Sequence, residues 1–185
     1  MPSDFLIRRA AAVVNDGGII AYPTEGVYGL GCDPDDPDAV ARLLEIKQRS
    51  PDQGLIVIAA RIDQLEDYFA PLSKASRRKL DQAWPGPQTW LVPAADHAPD
   101  WLTGRHTSIA ARVTAHPVAS ALCIQCGHAL VSTSANASGR PPARDMRSVR
   151  RMLGDEVDYI LGGPVGRLGK ATPVHDLLTG KVLRP

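Results

Sequence analysis

The sequence predicts an α/β protein: a twisted, mixed open sheet flanked by helices. Three observations carry that expectation. Short apolar runs of strand length recur at 19–22, 54–59, 108–113 and 129–131, set off by Gly and Pro as buried strands are. Segments at 4–15, 36–49 and 116–127 place apolar residues at helical spacing instead. The two kinds of segment alternate without a regular strand–helix–strand rhythm, which favours a mixed sheet over a wholly parallel one.

Each element has its own reason. Leu6, Ala10, Val13 and Val14 form the stripe of a first helix, with Ser3 or Asp4 as N-cap and Gly17-Gly18 as its end. The strand over 19–22 stops at Pro23. Thr24-Glu-Gly-Val-Tyr-Gly-Leu-Gly31 has three glycines in six positions and reads as a loop that lets backbone approach a ligand. Asp36-Pro37 opens a second helix with the face Ala39, Leu43, Leu44 and Ile46, ending in Lys47-Gln-Arg49. Bases there suit the helix macrodipole or a phosphate equally well, and spacing does not choose between them. The run 54–59 is almost wholly apolar, as a strand covered on both faces is.

Segments 62–68 and 73–84 read as helical, 91–93 as a strand and 101–106 as loop; 108–113 is a strand with Arg112 near its end. Pro117 and Gly127 bracket a helix that puts Ala119, Leu122, Cys123 and Cys126 on one face. The Cys123/Cys126 pair would need Cys32 and His128 to complete a zinc site, so buried small hydrophobes are the better reading and no metal site is expected. The stretch 140–151 holds five arginines. Its second half reads as a helix with Met146, Val149 and Leu153 inward, and a solvated basic face competes there with phosphate or RNA contact. A strand over 159–161, a glycine-rich loop over 162–169, and strands over 174–178 and 182–183 complete the sheet.

Length and composition bound the class. A chain of 185 residues that is 44% hydrophobic and 22% charged suits one globular domain, expected over 1–185. No apolar run approaches the roughly 18 residues of a membrane span, and the N-terminus lacks the order of a signal peptide. A cytoplasmic protein without membrane contact is therefore expected. A net charge of +1 argues against a dedicated nucleic-acid coat but leaves room for a local basic patch.

The chain is organised around 130–139. A short apolar run empties there into Ser132, Thr133, Ser134 and Asn136, several neutral donors and acceptors at a strand's carboxyl end, where open α/β sheets bind ligands. A plain Asx/Ser turn is the alternative. A Walker loop, a G-x-G-x-x-G, a G-x-S-x-G elbow and a carboxylate cage are all missing. The inventory suits an anionic ligand, without an apparent covalent nucleophile.

Tyr22-Pro-Thr-Glu-Gly-Val-Tyr-Gly-Leu-Gly, Lys47-Gln-Arg49, Trp84-Pro-Gly-Pro-Gln-Thr, Ala111-Arg-Val113 and Ser132-Thr-Ser-Ala-Asn-Ala-Ser-Gly139 occur in this order. Together they resemble the threonylcarbamoyl-AMP synthase family, in its short, single-domain, YrdC-like bacterial form. The resemblance implies a YrdC-like fold with a concave basic cleft. It also implies condensation of L-threonine, bicarbonate and ATP, the last with Mg²⁺, into threonylcarbamoyl-AMP and pyrophosphate. Implied partners are the downstream machinery that transfers the threonylcarbamoyl group to tRNA, and weak binding of tRNA or double-stranded RNA. Carried over by position, Lys47 and Arg49 would be the catalytic cations. With Ser134, Asn136, Arg144 and Arg184 they would hold the nucleotide. Thr24, Arg112, Ser132 and Thr172 would hold threonine, with Arg112 as a carboxylate fork. The chain departs from the family pattern at Gly26, where threonine is usual, at Thr114, where proline is common, and at Thr172-Pro173.

Charge neutralisation and positioning would suffice for attack of a carbamate on the α-phosphate, and the 162–171 loop is the expected lid. Two other readings compete. One is an RNA-binding module of the same fold without synthase activity. The other is a carbamoyl-transfer domain like those of hydrogenase maturation proteins, which sit in much longer chains.

Overall fold

The computed structural model describes residues 1–137 and 139–185; Ser138, within the 130–139 motif, lies outside the described residues. Helix α1 (Asp4–Asn15) runs as expected from Ser3, and α2 (Pro37–Lys47) is capped by the Asp36 side chain, which accepts from the backbone of Asp38 and Ala39. Gln48 closes α2 in the left-handed conformation at φ 47° and turns the chain sharply after Lys47.

Two mixed sheets follow from the apolar runs. In the smaller, β1 (Ile20–Pro23) is flanked by β2 (Tyr28–Gly31), antiparallel, and β8 (Tyr159–Ile160), parallel; β7 (Thr133–Ser134) borders β2. The larger runs β10-β9-β4-β5-β3-β6. Here β3 is Ile56–Ala59, β4 Thr89–Pro93, β5 Ser108–Val113, β6 Leu130–Val131, β9 Val174–Asp176 and β10 Val182–Arg184. Strands β3 and β5 are parallel, as are β4 and β9; the other pairs are antiparallel. The chain passes from the larger sheet to the smaller at Ser132, between β6 and β7. The predicted organising stretch is thus the seam of the fold.

Period-2 alternation divides the core. Ile19 and Ala21 join a main cluster with Tyr28, Leu43, Val57 and Ile109, while Ile20 and Tyr22 face a second cluster. That second cluster is built by α1 and α5 (Pro117–Cys126), with Cys123 and Cys126 inside it beside Ala119 and Leu122. The two cysteines are core residues, and Cys123 Sγ donates to the Ile58 carbonyl oxygen. Among the described residues, no helix is long and apolar enough to cross a membrane.

Five expectations change. On α1 the buried residues are Ile7, Ala10, Ala11 and Val14, and Leu6, expected on the apolar stripe, is exposed. The second half of the predicted loop 24–31 is strand β2. Its glycines serve close packing: a Cβ at Gly31 would strike the Val131 carbonyl and the Tyr22 ring, and neither Gly29 nor Gly31 has a left-handed φ. Segment 62–68 is two 3₁₀ turns, Ile62–Gln64 and Glu66–Tyr68, rather than one helix. The predicted loop 101–106 begins within α4 (Asp100–Thr103). Met146, expected inward on α6 (Met146–Leu153), is 38% exposed, whereas Val149 and Leu153 are buried.

Candidate active site

The ends of β2, β5 and β7 open into one cleft of about 120 Å³, small beside the roughly 300–1,000 Å³ of common small-molecule sites. Seven of the predicted residues line it: Thr24, Arg49, Arg112, Ser132, Ser134, Thr172 and Arg184. The other three stand close by. Lys47 and Asn136 lie behind Ser134, bonded to it, and the Arg144 guanidinium reaches the glycine-rich loop at Gly169.

The Lys47 side is a compact knot. Lys47 Nζ donates to the Ser134 and Asn136 carbonyl oxygens at 2.7 and 2.8 Å and to Asn136 Oδ1 at 2.7 Å, so all three ammonium protons are taken. Ser134 Oγ donates to the same Oδ1 at 2.6 Å. Lys47 therefore braces the 133–136 turn instead of reaching into the cleft. Burial and the neighbouring Arg49 charge pull its pKa down to about 8. Arg49 crosses to the Gly54 carbonyl at 2.8 Å, and its buried Nε has no partner among the described residues.

Arg112 is held by residues from three other segments. Its Nη1 donates to Thr172 Oγ1 at 2.8 Å and to Thr89 Oγ1 at 3.1 Å, and those two hydroxyls meet at 2.9 Å. Its Nη2 lies 3.4 Å from Glu25 Oε2 in a pair almost closed to solvent. Arg184 donates from Nε and Nη2 to the Thr172 carbonyl at 3.2 and 2.8 Å. Burial, then the charges of Arg112 and Arg49, push the Arg184 pKa below the guanidinium range. That is the electrostatic mark of several cations converging where an anion belongs.

A strap of residues 162–172 covers this side. Tyr28 Oη donates to the Gly163 carbonyl at 2.7 Å and accepts from Gly163 N at 3.1 Å. Gly166 N donates to the Thr24 carbonyl and Leu168 N to that of Glu25. A Cβ at Gly26 would collide with the Lys170 carbonyl, so this glycine makes room for the strap. His116 Nε2 meets the Pro164 carbonyl at 3.1 Å, and its Nδ1 accepts from Ala119 N at 3.5 Å. Burial keeps the His116 pKa below the usual imidazole value.

Sequence reasoning assigned no role to Glu25, Thr89 or Thr114. Glu25 and Thr89 stood inside quoted motifs, yet nothing local says that they meet Arg112. Among the described residues, no group of three or more His, Cys, Asp or Glu is placed to hold a metal.

Fold and site define a class: a mixed α/β protein with a covered, arginine-lined cleft at the junction of its sheets. The chain belongs to the Sua5/YciO/YrdC family, whose model, described as "telomere recombination", matches residues 12–185. A threonylcarbamoyl-AMP synthase of Nitrosococcus oceani is 51% identical over 178 residues, 96% of each chain. The crystal structure of P. abyssi Sua5 complexed with L-threonine matches at TM-score 0.92 and 32% identity, covering 99% of this chain. This chain spans about half of that longer one, 54% of it. E. coli YciO matches at TM-score 0.87 and 30% identity, over 100% of this chain and 90% of its own.

Proposed function

We propose that residues 1–185 act as one domain that condenses L-threonine, bicarbonate and ATP into threonylcarbamoyl-AMP and pyrophosphate. The observation that carries this reading is the convergence of Arg49, Arg112 and Arg184 on a cleft lined by Thr24, Ser132, Ser134 and Thr172. The names of the relatives support it: a threonylcarbamoyl-AMP synthase at 51% identity and a Sua5 that holds L-threonine.

The geometry supports the following roles. Arg112, inside a ring of hydroxyls, is the anchor for the amino-acid carboxylate, with Thr24, Ser132 and Thr172 around it. Arg49, Ser134 and Arg184 face the nucleotide phosphates, and Arg144 approaches from the loop side. Lys47 and Asn136 keep Ser134 in place. Mg²⁺ enters with ATP as part of the substrate. Threonine nitrogen attacks the carbon of bicarbonate, one C–O bond breaks and water leaves, and the resulting carbamate oxygen attacks the α-phosphorus, expelling pyrophosphate. Both reacting partners are anionic, so bringing them together and balancing their charge is the main task. The strap over a small cleft keeps water from the labile mixed anhydride. The product then passes to a tRNA-modifying transferase, and a cytoplasmic location suits that transfer.

The test is AMP and pyrophosphate release from ATP, with threonine and bicarbonate omitted in turn. Release needing both, and lost in folded Arg49→Ala protein, is expected. Turnover indifferent to threonine overturns the reading. The exposed arginines at 140, 144, 147, 150 and 151 favour a second reading, an RNA-binding module without synthesis. Salt-sensitive RNA binding in a protein without turnover would establish it.

A further inference from the structure

Glu25 is not among the residues that line the cleft, yet its contacts converge on the deepest cation there. Its Oε1 accepts from Thr114 Oγ1 at 2.6 Å and from Ala115 N at 3.2 Å. That pins one carboxylate oxygen just past the end of β5. The other oxygen is turned to Arg112 Nη2 at 3.4 Å, with 9% and 4% of the two side chains exposed. Arg112 and Thr114 are two residues apart on extended chain, so their side chains share a face and grip Glu25 together. Neither Glu25 Oε2 nor Arg112 Nε has a hydrogen-bond partner among the described residues. The carboxylate thus acts on the guanidinium as a charge, not as a saturating hydrogen-bond acceptor. Nη1 is occupied by Thr89 and Thr172, while Nε is still free to donate.

We propose that Glu25, oriented by Thr114, is a positioning residue that sets the plane of the Arg112 fork for the substrate carboxylate. This rests on the synthase reading above and deepens it. An arginine buried without a counter-charge is driven towards water, so an unpaired Arg112 would swing out of its plane or leave the cleft floor. Glu25 supplies the counter-charge from the side away from the substrate. Thr114 stops the carboxylate from rotating onto both guanidinium nitrogens and closing the fork. A fork held ready loses less freedom when the amino acid binds, so the effect belongs to threonine affinity and not to ATP.

The experiment compares the wild type, Glu25→Gln and Thr114→Val in pyrophosphate release from ATP. Threonine is titrated at saturating ATP and bicarbonate, then ATP at saturating threonine, with a thermal melt of each protein. Gln keeps an oxygen for Thr114 and Ala115 but turns an NH₂ group towards Arg112; Val keeps the charge and removes the hydroxyl that orients it. The expected result is a threonine KM raised about tenfold or more in Glu25→Gln, on the scale of a lost buried charge contact. In Thr114→Val it rises about threefold, as for one hydrogen bond. In both, the ATP KM stays within about twofold, because the nucleotide contacts are untouched. Equal rises in both KM values, or a lower melt with an unchanged threonine KM, overturn the proposal by showing a merely structural role. If Glu25→Gln does not fold, Thr114→Val decides alone, and an unchanged threonine KM there overturns it. A wild type that turns over without threonine removes the synthase reading and this proposal with it. A threonine-dependent wild type with unaffected variants removes only the proposal.

Discussion

The Lys47 side of the cleft and the Arg112 side both bury a cation, but they hold it in opposite ways. Lys47 ends a helix, and its three partners all belong to Ser134 and Asn136, two residues apart in one turn. Arg112 collects its partners from Thr89, Thr172 and Glu25, each on a different segment, and one of them is itself charged. The first arrangement joins two local motifs. The second needs the larger sheet, the β1–β2 turn and the strap to be in place together. A cation held by neutral oxygens within one turn can be lost with local damage. One paired to a buried carboxylate cannot, because removal leaves the opposite charge stranded.

The sharpest way to break the comparison is Arg112→Ala. It strands Glu25 and leaves the Thr89–Thr172 pair without its donor, so unfolding in urea is expected to show a loss of about 3–5 kcal/mol. A loss below about 1 kcal/mol would mean that the Arg112 side is no more interlocked than an ordinary hydrogen bond requires.

Lys47 offers the next contrast, through pH. Its folded pKa of about 8 lies below the ordinary lysine value of 10.5, so between those limits the unfolded chain binds more protons than the native one. The Lys47 contribution to stability therefore rises with pH across that window, while turnover that needs the ammonium falls. The urea midpoint of the wild type relative to Lys47→Met should rise from about pH 7 to 10 as wild-type pyrophosphate release falls. Taking the difference cancels the buried thiols of Cys32, Cys123 and Cys126, whose raised pKa values act the other way. Parallel movement of the two curves would contradict the assignment.

Smaller effects separate the strap from the sheets. Gly26→Thr places a Cβ against the Lys170 carbonyl, and overpacking of this kind costs about 1–3 kcal/mol. Hydrogen exchange over 163–172 should accelerate while α2 and β3 keep their protection. Tyr28→Phe removes both hydroxyl contacts to Gly163, worth about 1 kcal/mol. It should raise proteolysis within the strap and leave the melt nearly unchanged. Uniform exchange across the chain in either variant would show that strap and sheets open as one.

Much of the frame is legible in the residues because its signals are local. The first helix, Asp4–Asn15, follows from its helical spacing and the glycines after it, although Ile7 and Ala11 join Ala10 and Val14 in the core in place of Leu6. The second, Pro37–Lys47, follows from Asp36-Pro37. Strand β5 occupies the predicted 108–113, and α5 runs between the proline and glycine that bracket it. Two of the misreadings show where local signals stop. Glycines at 29 and 31 looked like loop freedom but are contact points between strands, and a glycine's reason is visible only once its neighbours are present. Met146 lies on the predicted inner face of α6, yet the neighbouring surface does not cover it.

By itself, the sequence determined the α/β class and most of the order of helices and strands; the family resemblance supplied ten candidate site residues, which lie in or beside one cleft. Periodicity, caps and short motifs depend on neighbours a few residues away. Tertiary structure alone decided that Lys47 braces a turn, that Thr172 is gripped by two arginines, and that Glu25 stands behind Arg112. Glu25 and Thr114 are 89 residues apart in sequence, and their hydroxyl–carboxylate contact is 2.6 Å. A carboxylate's partner at that range is chosen by how the sheets and the strap pack, and no local pattern encodes it.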